Sequence, residues 1–369
     1  MTPLLLTPGP LTTAAAVRDA MTVDLGSRDP AFLAVTARIL TRLAALAPEP
    51  GAFEAVPVQG SGTFAVEAML GTFVPRDGAA AVLVNGVYGA RAVELLRRAG
   101  RRVVPLVADE EAPPDLDALD RALAADPGIT HVVAVHVETT TGQLEPIAEI
   151  AAITARHGRR LLVDAMAAFG AIGLEGVVAD AVAASSNKCL EGVPGLGFVL
   201  ARSTALAETA GNAHSVSLDL HAQATRLAKD GQFRFTPPTH VMLALDAALT
   251  LHLAEGGVAG RGARYAANLR VLVDGLTALG FVPLLPADRQ APIIVTFRAP
   301  ADPAWSFPAF YEALRARGFA IYPGSLTRVP SFRVGCIGQV FPDDLARFVD
   351  AAAEAVALLG LTRLAPEPS

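Results

Sequence analysis

The chain has 369 residues, 52% of them hydrophobic and 18% charged, with a formal net charge of −6. That length calls for two hydrophobic cores and the composition excludes disorder. The acidic balance gives no electrostatic footing for nucleic acid or an anionic membrane, and no apolar run reaches the roughly 18 residues that span a bilayer.

The chain opens Met1-Thr-Pro-Leu-Leu-Leu-Thr-Pro-Gly-Pro10, without a basic start and broken by prolines. It therefore reads as an arm over residues 1–25 and not as a leader peptide. From residue 55, short apolar runs alternate with helical patterns. Strands are predicted at Ala55–Val58, Ala81–Val84, Arg102–Val107, His131–His136, Arg160–Val163, Ala181–Ala184 and Gly197–Leu200. Helices are predicted at Phe64–Phe73, Tyr88–Ala99, Leu116–Ala125 and Ile147–Arg156. This order indicates an α/β unit with a mostly parallel seven-stranded sheet covered on both faces. The last strand lacks room for a crossover helix before it and is expected to run antiparallel.

Pro237-Pro238 marks the expected boundary between a large unit, residues 1–240, and a smaller α+β unit, residues 241–369. In the latter, helices are expected at Val241–Leu253, Ala263–Ala278, Pro308–Arg317 and from Pro342 to Leu359. Strands are expected at Ile293–Arg298, Ala320–Tyr322 and Phe332–Cys336. Cys189 and Cys336 are the only cysteines and stand in no metal-like spacing. No disulfide framework is expected, and a reducing, cytoplasmic setting is. The seven histidines include no His-Glu-x-x-His pair, so no metal site is expected.

In an open parallel sheet, ligands bind at the carboxyl ends of the strands. Several polar residues fall there. Gly60-Ser-Gly-Thr63 follows the first strand and opens a helix, so its N–H groups with the Ser61 and Thr63 hydroxyls could cradle a phosphate. An ordinary helix cap is the alternative. No Walker motif occurs, and the second strand ends in Asn85-Gly86 without the acid a dinucleotide ribose needs. Tyr88 could stack on an aromatic ring or pack at a helix start. Glu138-Thr-Thr-Thr-Gly142 brings three hydroxyls to the same edge, Thr139 being the choice to bond a cofactor's phenolic oxygen; as turn caps they would need no ligand.

Asp164 ends its strand, where it could pair with a pyridinium nitrogen or cap a helix. Lys188 lies between an apolar run and a Gly/Pro-rich turn. Desolvation there would lower its pKa and leave an amine able to attack a carbonyl, the usual setting for a link to pyridoxal phosphate. Far downstream, Arg333 interrupts an apolar strand and could clamp a carboxylate or phosphonate, or point outward from an edge.

Taken together, these segments resemble the class V, fold-type I pyridoxal-phosphate aminotransferases, and within them the branch acting on 2-aminoethylphosphonate and pyruvate. The resemblance rests on Leu4–Thr13, Gln59–Ala68, Ser186-Asn-Lys-Cys-Leu-Glu-Gly-Val-Pro194, Phe235-Thr-Pro-Pro-Thr-His240 and Ile321-Tyr-Pro-Gly324, spread over nearly the whole chain. It implies pyridoxal 5′-phosphate as cofactor and Lys188 as the lysine that carries it. Asp164 would be the pyridinium partner and Tyr88 the stacking residue, with Ser61, Gly62 and Thr63 at the phosphate. Thr139 and Asn187 complete the implied cofactor contacts, and Arg333 becomes the substrate-carboxylate arginine.

Thr236 resembles a residue reaching the phosphate from a neighbouring subunit, which implies a homodimer with a shared site. The implied reaction gives phosphonoacetaldehyde and alanine; an alanine– or serine–glyoxylate exchange, or another aminophosphonate donor, is the alternative. Ala167-Ala168, Asp24–Asp29 and Ser325 depart from the family's usual residues and are expected near the substrate.

Overall fold

The computed structural model describes residues 2–326 and 328–367. Seven strands make the central sheet: β1 (Phe53–Gln59), β2 (Ala79–Val84), β3 (Arg102–Val107), β4 (Ile129–Val135), β5 (Arg160–Asp164), β6 (Ala181–Ser185) and β7 (Leu196–Arg202). Their spatial order is β1-β7-β6-β5-β4-β2-β3. Neighbours are parallel except that β7 runs antiparallel to both β1 and β6. All seven predicted strands are present, with ends moved by one or two residues, and the last has the predicted direction.

The continuous apolar runs have a physical cause: side chains alternate between two faces, and both faces are buried. On one face, Val66, Met69, Leu70, Val93 and Leu96 from helices Gly62–Phe73 and Val87–Arg98 pack on Val82, Val133 and Leu162. On the other, Ile39, Leu43, Leu119, Ile150, Leu245 and Leu249 pack on Val132, Val163 and Val182. Helix Pro30–Ala44, which supplies Ile39 and Leu43, has no counterpart among the predicted elements. Asp29 caps it, accepting the Ala31 N–H at 2.8 Å, with Pro30 at its first turn.

A second core gathers Phe281, Phe297, Phe310 and Phe332 between helices Gly257–Leu279 and Pro342–Leu358 and a three-stranded antiparallel sheet. Ser331–Gly335 is the middle strand of that sheet, flanked by Ile294–Arg298 and Tyr322–Pro323. The single strand expected at Ala320–Tyr322 is two. Phe319–Ala320 pairs in parallel with Leu4–Leu5 of the arm, and Tyr322–Pro323 pairs with Ser331–Gly335.

Packing also shifts the expected division at residue 240. Helix Thr239–Ala254 buries Met242, Leu245 and Leu249 in the core of the large sheet, whereas Leu6 of the arm joins the second core. The two cores change over at the 80° bend between Ala254 and Gly257. No single helix among the described residues is long and apolar enough to cross a membrane.

Candidate active site

The carboxyl ends of β4, β5 and β6 converge with the N-termini of helices Gly62–Phe73 and Val87–Arg98. Gly62, Thr63, Tyr88, Arg91, Asp164 and Met166 line one hollow there, and Tyr88, Thr139, Asp164, Ala167 and Lys188 line its continuation. A larger groove of about 590 Å³ lies at the opposite, amino ends of β4 and β5, lined by Arg76, His131, Arg159 and Arg160 among others. It brings none of the predicted residues together.

Lys188 is held in a largely apolar slot, where burial pushes its amine below the usual lysine range. Its Nζ donates to the Pro8 carbonyl at 2.5 Å, so the arm touches the amine directly. Gly9 makes that approach possible: with φ of +118°, a Cβ there would sit 2.8 Å from Nζ.

Asp164 is 7% exposed and, among the described residues, accepts a single hydrogen bond, from the Met166 N–H at 3.0 Å. Burial pushes its carboxyl up to about 6, against the pull of that N–H, while the nearby Glu138 adds to the rise and the Arg91 and Lys188 charges oppose it. The bond to Met166 closes a turn and caps no helix, so most of the carboxylate's bonding capacity remains for a ligand.

Thr140 and Thr141 do serve as turn caps, bonding the Glu138 side chain and carbonyl. Thr139 does not: its Oγ1 is buried without a partner at the cavity wall. A buried hydroxyl left unpaired costs stability and marks a place for an absent acceptor. Ser61, at the N-cap of Gly62–Phe73, is exposed and makes no side-chain cap bond. Its hydroxyl and the first N–H groups of that helix are thereby free for an anion. A side chain at Gly62 would force Met166 to move, because a Cβ would lie 2.3 Å from Met166 Sδ.

Arg333, on the middle strand of the small sheet, reaches across to the large unit. It donates to the Thr139 carbonyl at 3.1 Å and to the Pro323 carbonyl at 3.0 Å. The expected outward-pointing alternative fails because this strand has no free edge. Burial lowers the Arg333 pKa, and among the described residues no carboxylate forms an ion pair with it. Two carbonyls orient the guanidinium and leave its charge available.

Three further residues belong here that the sequence reading does not single out. Arg91 stacks 4.8 Å over the Tyr88 ring and reaches Thr63 Oγ1 at 3.4 Å. The clue is spacing alone, since residues three apart share a helix face. Glu138 is buried at 1% exposure and accepts the Tyr88 N–H at 3.2 Å, fixing the start of that helix. Met166 bonds Asp164 through its N–H and lies with its side chain against Gly62.

Other predicted residues lie elsewhere. Asn187 is half-buried beside Lys188. Thr236 is exposed and borders two grooves outside this cavity. Of the departures from the family pattern, Ala167 lines the cavity while Ala168 is fully buried behind it. Asp24 meets His240 at the surface, and Ser27 and Arg28 share a groove with Thr236, away from Lys188. Ser325, half-buried after Tyr322–Pro323, does not line the cavity.

A lysine and an acid at adjacent strand ends, a helix-start anion cradle and an unpaired hydroxyl between them define a fold-type I pyridoxal-phosphate enzyme. The comparisons with known proteins name the family. The model of the class-V aminotransferases matches residues 58–334, and the chain belongs to that family. A 2-aminoethylphosphonate–pyruvate transaminase of Pseudomonas putida strain W619 is 51% identical over 95% of this chain and 96% of its own length. One from Rhizobium meliloti strain 1021 is 52% identical over 99% and 96%.

Among solved structures, pyridoxamine–pyruvate aminotransferase from Mesorhizobium loti superposes with a TM-score of 0.90 at 25% identity, covering 98% of this chain and 94% of that one. The protein is an aminotransferase, and its cofactor is pyridoxal 5′-phosphate.

Proposed function

We propose that the enzyme transfers the amino group of 2-aminoethylphosphonate to pyruvate, giving phosphonoacetaldehyde and L-alanine. The observation that carries this reading is Arg333, a half-buried cation without a carboxylate partner among the described residues, bonded to the carbonyl of Thr139 on the wall of the cavity that holds Lys188. Both substrates present an anion, a phosphonate in one half-reaction and a carboxylate in the other, and one guanidinium can serve each in turn. Relatives that match almost the whole chain bear the name of this reaction.

When bound, pyridoxal phosphate supplies an electron sink for the carbon bearing the substrate's amine. The chain's own residues do the rest. Ser61, Gly62 and Thr63 would hold the phosphate, and Tyr88, with Arg91 over its ring, would stack on the cofactor. Thr139 would donate to the phenolic oxygen, and Asn187 borders the lysine. Asp164 would hold a proton on the ring nitrogen. Lys188, its pKa lowered by burial, would carry a proton from the donor carbon to the cofactor's C4′ in one half-reaction, and from C4′ to the acceptor's carbon in the other. Pro8 and Gly9 close the lysine's side of the cavity.

Arg333→Ala should raise the KM for pyruvate at least roughly 10-fold, from the loss of a charge-assisted hydrogen bond. Initial rates against pyruvate concentration check this, and an unchanged KM would move the anion clamp elsewhere. The substrate reading is tested by supplying equal concentrations of 2-aminoethylphosphonate, serine and other amine donors with pyruvate and following alanine. 2-Aminoethylphosphonate should give the highest kcat/KM; a preference for serine, or for glyoxylate as acceptor, would replace it.

The homodimer belongs to the same proposal. Phe64, 48% exposed, and Phe235, 54% exposed, flank the groove that contains Thr236. A second copy covering them would place its Thr236 near the phosphate cradle that Phe64 follows in sequence. Thr236→Val should weaken cofactor binding about tenfold, the loss of one hydrogen bond to a charged group. Equilibrium titration with pyridoxal phosphate reads this, and unchanged affinity would exclude Thr236 from the site.

A further inference from the structure

Glu191 stands out on two independent grounds. It is the only non-glycine among the described residues with positive φ, at +59°. Such a conformation is strained and persists where its surroundings over-determine it. It is also 4% exposed and sits three residues after Lys188, in a loop that folds back on itself. The Glu191 N–H donates to the Lys188 carbonyl and the Gly192 N–H to the Ser186 carbonyl, each at 2.8 Å.

The strained backbone aims the carboxylate into helix Gly257–Leu279. Tyr265 O–H donates to Glu191 Oε1 at 2.5 Å and Arg264 Nη2 at 2.7 Å, while Gln339 Nε2 donates to Oε2 at 3.0 Å. Arg261, 1% exposed, lies 3.4 Å from the same carboxylate and donates to the Cys189 carbonyl. Glu255 pairs with both arginines.

Arg264 and Tyr265, with Asn268 one turn further along the helix, grip the segment that continues the Arg333 strand. Arg264 donates to the Gly338 and Val340 carbonyls at 2.6 and 2.8 Å. Asn268 donates to the Cys336 carbonyl at 2.9 Å, and the Gly338 N–H donates to Tyr265 Oη at 3.2 Å. The arm is tied in as well, through Gly335 N–H to the Leu6 carbonyl and Gln339 N–H to the Thr12 carbonyl. Lys188 and Arg333 sit on different units, and this cluster is where the two chain segments carrying them are joined.

We propose that Glu191 is a positioning residue that sets the span between the Lys188 amine and the Arg333 guanidinium, and so the fit of an anionic substrate between them. The inference rests on the proposed role of Arg333 but not on which amine is the donor. Glu191 touches neither substrate nor cofactor. It acts through the register of the lysine loop against the arginine strand, and rigid buried networks of this kind hold such distances.

The test uses Glu191→Gln, which keeps shape and one acceptor oxygen, and Tyr265→Phe, which removes the hydroxyl's bonds to Glu191 and Gly338 and leaves every charge in place. Protein freed of cofactor is first loaded with pyridoxamine phosphate, then mixed with pyruvate in single turnovers, so no amine donor enters. Expected for Glu191→Gln is at least a fivefold rise in the half-saturating pyruvate concentration, with the maximal rate within threefold of the parent. The calorimetric Kd for ethylphosphonate, which lacks the amine, should rise in parallel.

Tyr265→Phe should move both quantities in the same direction by about twofold or more. A lowered melting temperature with both quantities unchanged would overturn the proposal and leave Glu191 a structural residue. If Glu191→Gln does not fold, Tyr265→Phe decides alone. Failure of 2-aminoethylphosphonate as donor in the parent enzyme would sink the substrate reading without touching this result.

Discussion

Lys188→Ala is expected to lower turnover on the order of 10⁴-fold or more, because one substitution removes both the covalent anchor and the proton carrier. The slot around Lys188 shows why no neighbour can replace it. Within it Lys188 is the only amine, and the guanidinium of Arg333, bonded to the Thr139 and Pro323 carbonyls, is no nucleophile. Alanine leaves Pro8 and Gly9 without the side chain they enclose but disturbs no ion pair, so the fold should persist. The variant should still bind pyridoxal phosphate through the Ser61–Thr63 cradle while lacking the visible absorption band that linkage to the lysine gives. Absorbance spectra and turnover measured on one preparation check both points. A retained band would assign the linkage to another residue.

Asp164→Asn is expected to act in opposite directions on stability and on activity. In the cofactor-free protein the Asp164 carboxyl is raised to about 6 by burial, from 3.8 in the unfolded chain. The folded state therefore holds its proton more tightly, and stability is lost as pH rises through the interval between those values. Asparagine does not titrate. Relative to the parent, the variant's advantage should be absent below pH 4 and grow to a plateau above pH 6, reaching at most about 3 kcal/mol.

With cofactor bound, the same carboxylate gains a cationic partner at the ring nitrogen, and asparagine cannot stabilise that proton. Turnover should fall on the order of 10²–10³-fold, the usual cost of deleting one charge aimed at developing charge. Thermal melts of the cofactor-free proteins at several pH values, beside rates of the loaded ones, separate the two effects. Near-normal turnover, or a stability difference independent of pH, would remove the proposed role.

The sheet and the centre of the site were legible for a common reason. A parallel sheet buried on both faces writes its strands as apolar runs, and the polar residue that ends each run points to the crevice. Asp164 and Lys188 stand out in that way. Contacts between distant segments leave no such mark. The two short strands at Phe319–Pro323 exist because Leu4–Leu5 and Ser331–Gly335 lie on either side, which a local pattern cannot reveal. Helix Pro30–Ala44 did carry a signal, the Asp29-Pro30 start, ahead of the region where alternation becomes regular. Thr139 was identifiable as one of three threonines, but only the structure shows that its two neighbours bond the turn and it does not. Arg91 and Glu191 are ordinary in sequence, and their partners make them otherwise.

The most direct test of Lys188 as the cofactor's attachment point needs no substitution. Holoenzyme reduced with borohydride fixes the lysine–cofactor bond, and peptide mass mapping locates the added pyridoxyl phosphate. The expected result is one modification per chain, on the peptide containing Ser186-Asn-Lys-Cys-Leu190 and at Lys188. A modification at Lys229, the other lysine of the chain, or none at all, would contradict the account.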